Sequence, residues 1–147
     1  MRRALLAAAL LLAGCAYNGM YHARQLSRDA ERAERDGRTI DANAFWGQVT
    51  VKAETLLSRH PDSKYATEAK FLLGRAHAHL DDCSAARPML RTALPALADS
   101  SDIRDARADL ARCDLRLGDY SAAAGSYANL LGQGSSSEQR STRLSLA

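Results

Sequence analysis

Residues Ala69 to Leu94 read AKFLLGRAHAHLDDCSAARPMLRTAL, and the short polar turn Asp81-Asp82 splits them into two helical patterns that must pack on each other. The layout returns in Ala106 to Leu131, ARADLARCDLRLGDYSAAAGSYANLL. Leu73-Gly74 is answered by Leu110-Ala111, Leu80-Asp81-Asp82-Cys83 by Leu117-Gly118-Asp119-Tyr120, and Ala86 by Ala123, always 37 positions on (110 − 73, 117 − 80, 123 − 86). A fixed period of this size marks arrays of helical hairpins, in which each unit buries its apolar face only by stacking on a neighbour. The expectation is an all-α fold: an α-solenoid of about three hairpins plus an incomplete C-terminal helix.

The details resemble the tetratricopeptide repeat, with L-G-x-x-Y in the first helix and A-x-x-x-F in the second. Leu73-Gly74 is followed by His77 at the tyrosine place and Ala86 by Leu90 at the aromatic place; in the second copy Ala123 and Tyr127 fit, while Ala111 and Asp114 replace the glycine and tyrosine. Small residues at 74, 86, 111 and 123 let two helix backbones approach where larger ones would wedge them apart.

Upstream, Ala23, Leu26, Ala30, Ala33 and Gly37 recur at steps of three and four and predict a packing face, with the charged residues between Arg24 and Asp36 as its solvated side. A helix over about Asp41 to His60 carries Phe45, Trp46, Val49, Ala53, Leu56 and Leu57 on one side. Trp46 is read as a buried anchor, with a ligand platform as the alternative. Matching turns, Gly37 answers Asp81 and Gly118, so the first spacing is 81 − 37 = 44, seven more than the repeat and close to two helical turns. A rival register aligns Gly37 with Gly74. Pro88 is expected in the first turn of its helix or at a slight kink, Pro95 at a helix end, Ala98 to Ser101 as a loop and Asp102 as the next cap.

The chain begins Met1-Arg2-Arg3, followed by an apolar run from Ala4 to Ala13 that is too short to span a bilayer. This reads as a secretory signal over 1–14. Its end, Leu12-Ala13-Gly14-Cys15, resembles the lipobox of bacterial lipoproteins, which implies cleavage before Cys15 and lipid attachment to its thiol. Residues 15–22 are then expected as a lipidated tether, with Tyr17, Met20 and Tyr21 touching headgroups or packing on the first helix. Residues 23–147 are expected as the repeat domain. Ala16 after the cysteine, by resemblance to enterobacterial lipoproteins, implies the periplasmic face of the outer membrane.

Segment HPDSKYATEAKFLLGRA, from His60 to Ala76, resembles the inter-repeat region of envelope tetratricopeptide proteins. It is similar to BamD-type lipoproteins of the β-barrel assembly machinery and to the Tol-Pal-associated coordinator of envelope constriction. The combination with a lipobox favours the first, although this chain holds fewer repeats than that family. The resemblance implies a membrane-anchored scaffold that binds envelope proteins. A pilotin or Tol-Pal/division-associated scaffold, or an accessory subunit of an envelope enzyme, remains the alternative.

Partner contacts are expected from Arg75, His77, Arg107 and Asp114, polar residues beside the small packing positions, against the plainer reading of solvent exposure. Cys83 and Cys113 form an even pair once Cys15 is used, either a disulfide between neighbouring helices or two small packing residues. His77 and His79 face different sides of their helix and no second ligand pair has suitable spacing, so no metal and no cofactor are expected. No nucleophile elbow or phosphate-cradling glycine loop is present, and the expectation is not an enzyme. Net charge is +3, or +1 once Arg2 and Arg3 are subtracted, with no basic stripe that would suit nucleic acid. Glu138 to Ala147 reads as the start of one more helix, so either the chain continues or a partner covers the open end.

Overall fold

The computed structural model describes residues 2–131, with side chains from Ala16 onward. The signal segment's side chains, Cys15 itself, the break at 132–137 and the expected C-terminal helix lie outside the described residues.

The described chain is all-helical: α1 (Arg2–Arg35), α2 (Thr39–Arg59), α3 (Ala66–His79), α4 (Cys83–Ala93), a 3₁₀ turn (Leu94–Ala96), α5 (Ser100–Arg116) and α6 (Tyr120–Leu131). Successive helices pair as hairpins, α1 with α2, α3 with α4 and α5 with α6. The hairpins join through α2 on α3 and α4 on α5, and α3 also touches α1 and α5.

One turn geometry recurs in all three hairpins. Gly37, Asp81 and Gly118 take left-handed backbone conformations, with φ of 73°, 66° and 77°. The next residue's N–H reaches back five positions, from Arg38 to the Ala33 carbonyl, from Asp82 to His77 and from Asp119 to Asp114. This is the Schellman closure, which satisfies carbonyls a helix end would otherwise leave unpaired. The Asp82 and Asp119 side chains then cap α4 and α6, accepting from the N–H of Ala85 and Ala122 at 3.2 Å. The spacings of 44 and 37 therefore connect equivalent turns. Gly74, the rival partner of Gly37, lies inside α3.

The predicted stripes form the core. Trp46, Val49, Phe71, Leu90 and Cys113 are almost fully buried beside Ala23, Ala30, Ala86 and Ala106. At about 25 cal/mol per Å² of apolar surface, the large side chains supply most of the drive, while the alanines set the approach distance.

Several expectations need correction. Residues 16–22, expected as a tether, continue α1: Ala16, Met20 and Ala23 are buried on the same three-four stripe, in line with the packing alternative for Met20, and Tyr17 and Tyr21 are exposed. Packing thus begins at Ala16, before residue 23. Asp99, not Asp102, caps α5, its carboxylate accepting from the N–H of Ser101 and Asp102. Pro88 sits in the second turn of α4, where the carbonyl of Ser84 loses its usual donor. Pro95 does end the regular helix.

Candidate functional site

Three first helices bring their charged flanks together. On α3, Phe71, Arg75 and His79 are four residues apart and share a face; on α5, Asp102, Asp105 and Asp109 follow the same rule. Arg24, Glu31 and Glu34 reach them from α1. An open groove of about 620 Å³ runs between these faces, with the 96–99 segment also in its lining.

Arg75 is the groove's floor. Its Nε donates to Asp109 Oδ2 at 3.0 Å, and one terminal nitrogen lies 2.8 Å from Glu31 and 3.2 Å from Asp105. The guanidinium also sits 5.6 Å from the Phe71 ring centroid and 5.7 Å from that of Trp46, within cation–π range. Burial alone would lower the Arg75 pKa; the carboxylates of Asp109, Asp105 and Glu31 override it and hold the pKa up. A single guanidinium thus ties hairpins one and three to hairpin two.

His79 extends the network. Its ring stacks on Trp46 at 4.3 Å, its Nδ1 is 2.7 Å from Glu34 Oε1, and that same oxygen accepts from Trp46 Nε1 at 2.7 Å. Its Nε2 faces Asp109 Oδ1 at 3.4 Å without a well-aligned hydrogen bond. Burial pushes Asp109 up, but His79, Arg75 and Arg112 together leave its pKa lowered. Asp105 and Asp102 go the other way, raised chiefly by burial, with neighbouring carboxylates adding to it. At the groove's edge Arg24 grips Glu68 with two guanidinium nitrogens, a bidentate pair joining α1 to α3.

No family model, curated protein or solved structure matches the chain.

Of the four residues expected to contact partners, only Arg75 lines the groove, and it is buried in ion pairs rather than solvent-exposed. His77 turns to the α3–α4 turn, its Nδ1 3.1 Å from Asp82. Asp114 is buried and pairs with Arg87 at 2.8 Å and Arg91 at 3.3 Å, fastening α4 to α5. Arg107 lies outside the groove lining. Positions 75 and 77 point to different sides of α3.

Cys83 and Cys113 are joined by a disulfide, with Cα atoms 5.0 Å apart. It links the first residue of α4 to α5, so it staples the second hairpin to the third. Among the described residues no cluster of three or more His, Cys, Asp or Glu side chains is arranged to hold a metal.

The sequence reading missed the acidic partners. Glu31 and Glu34 keep 29% and 37% of their side-chain surface exposed, as a solvated face implies, but they also pair with Arg75, Trp46 and His79. Asp109 sits directly between Ala106 and Leu110 in sequence and beside their apolar stripe; a carboxylate there, 34 positions from Arg75, was the available clue.

Proposed function

We propose that this chain is a lipid-anchored scaffold of the bacterial periplasm that binds partner proteins at the outer membrane, in outer-membrane protein assembly. The observation that carries the binding role is the groove along α1, α3 and α5. Its 620 Å³ and its mixture of apolar wall and fixed charges suit an extended peptide or one face of a partner's helix. The anchoring rests on Leu12-Ala13-Gly14-Cys15, and the assembly role on the resemblance of residues 60–76 to BamD-type lipoproteins. No described helix is long and apolar enough to cross a membrane, and a lipid on Cys15 needs none.

The Arg75 network sets how the groove works. Its buried ion pairs fix the relative positions of three first helices, so the walls are preorganised and a bound segment bears little of the ordering cost. Specificity then comes from rim charges such as Arg28, Lys64 and Asp102.

The test is gentle detergent extraction of a tagged, full-length protein from its native host and identification of near-stoichiometric companions. Cys15→Ser removes the anchor, and Asp102→Lys reverses a groove charge. A β-barrel assembly component lost in both variants supports the reading. Retention in both, or companions drawn only from a secretin or Tol-Pal assembly, overturns the assembly role.

A further inference from the structure

At the other end of the first hairpin a second, smaller cavity of about 260 Å³ opens between the start of the described α1 side chains and the last turns of α2. Its wall is unlike the groove's. Lys52, Arg59, His22 and His60 converge on it with Thr55 and Asn18, and no carboxylate lines it. Several other arginines are paired, Arg24 with Glu68, Arg75 with three acids and Arg87 with two. Lys52 and Arg59 have no ion-pair partner among the described carboxylates.

Two fixed positive charges, together with imidazole, hydroxyl and amide groups, form a donor set for an anionic oxygen cluster. Helix ends modify this balance. The C-terminus of α2 contributes roughly half a negative charge, which Arg59 and His60 offset in any helix that ends in basic residues. That explains one cation and leaves the second uncompensated. Gly19 and Leu56 give the cavity an apolar floor, while the polar groups form the rim.

The surroundings indicate where the anion comes from. Ala16, immediately after Cys15, is part of the lining. Tyr17 and Tyr21, 55% and 48% exposed, present two amphipathic rings from the same turns of α1. Tyrosines at the level of headgroups beside basic side chains are the pattern of a membrane interface.

We infer that this cavity binds the headgroup phosphate of an anionic phospholipid, so that the protein grips the bilayer surface non-covalently beside its anchor. The inference rests on the anchored-scaffold reading for the choice of a lipid as source, not for the anion chemistry. Lys52 and Arg59 neutralise the phosphate, His22 donates a hydrogen bond, and the tyrosine rings lie against the glycerol region.

The experiment uses the full chain in neutral maltoside micelles, titrated with dihexanoyl-phosphatidylglycerol, dihexanoyl-phosphatidylcholine or inorganic phosphate, and followed by backbone amide chemical shifts. Expected are saturable shifts at Gly19, His22 and Thr55 with phosphatidylglycerol, weakened at least fivefold in Lys52→Gln/Arg59→Gln. Both substituted positions are exposed and helical, and glutamine suits a helix, so that variant keeps its fold. Tighter saturation of the same amides by inorganic phosphate overturns the lipid source. Equal response to phosphatidylcholine, an unchanged double variant or no saturation overturns the site. Mass measurement of Cys15 separates the two readings: an unmodified cysteine with intact lipid binding removes the anchor and keeps the site, and an acylated cysteine without binding does the reverse.

Discussion

Gly74 of α3 lies directly against Leu90 of α4: a Cβ built on the glycine would stand 2.8 Å from Leu90 Cγ and 3.2 Å from the Leu90 backbone nitrogen. The nearest atoms are a branch point and backbone, which cannot rotate away. Gly74→Ala gains about 1 kcal/mol of helix propensity but forces overpacking of about 1 to 3 kcal/mol. The expected net is a destabilisation of up to about 2 kcal/mol by denaturant unfolding. In combination with Leu90→Ala the two effects should fall short of additivity, because removing the leucine side chain vacates the space the alanine needs.

The turns offer the opposite sign. Gly37 and Gly118 meet the left-handed conformation at no steric cost, whereas Asp81 adopts it with a side chain attached. Asp81→Gly should stabilise the protein by roughly 0.5 kcal/mol, less than the full backbone gain because the exposed pair with Arg116 is lost. Gly118→Ala should cost about 1 kcal/mol. Thermal unfolding of the two variants in parallel checks both directions.

Asp109 and Asp105 both face Arg75, yet their pKa values move in opposite directions, so their replacement should be read out differently with pH. Asp109 is lowered in the folded protein. Its stabilising contribution is full above the unfolded carboxylate value of about 3.9 and is lost as pH falls through the lower folded value. Asp105 is raised, so its ionisation opposes folding above the folded value and that cost is relieved as pH falls through it. At pH 7, Asp109→Asn should therefore destabilise by about 3 kcal/mol, the low end for breaking a buried pair, since Glu31 and Asp105 still face the guanidinium. Asp105→Asn should leave stability unchanged or slightly higher. Trp46, the single tryptophan, is fully buried in the same network, and its fluorescence follows the acid transition of each variant.

Reducing the Cys83–Cys113 disulfide frees a loop of 30 residues in the unfolded chain. Chain entropy puts the resulting loss at about 3 to 4 kcal/mol. Because the bond spans the boundary between hairpins two and three, Cys83→Ser/Cys113→Ser should raise amide exchange most in α5 and α6. Uniform acceleration across all six helices would show that the hairpins unfold as one unit.

The architecture was legible because it depends on period and on small residues. Gly74, Ala86, Ala111 and Ala123 recur at 37, and Gly37, Asp81 and Gly118 are punctuation that only a left-handed position demands. The polar interior was not legible for an equally physical reason. Glu31, Glu34 and Asp109 sit at helix positions flanking the apolar stripe, where a carboxylate is solvated unless a cation from another helix comes to meet it. Arg75 and His79 supply that cation and donor from 30 to 45 residues away, and no local pattern encodes the encounter. Residues 16–22 misled differently. The tether expectation came from the lipobox, but Ala16, Met20 and Ala23 keep the helical step, and burial overrides the weak propensity of Asn18 and Gly19.

The unbroken course of α1 changes what an anchor at Cys15 would do. A flexible leash lets a domain sample a hemisphere above the bilayer; a helix packed from Ala16 onward behaves as a post. At about 1.5 Å per residue, the groove residues Arg24 to Glu31 stand roughly 12 to 23 Å along that post from Ala16. Whatever occupies the groove would then be presented at a set height and heading, within a thin layer where it meets other membrane-bound surfaces in two dimensions rather than three.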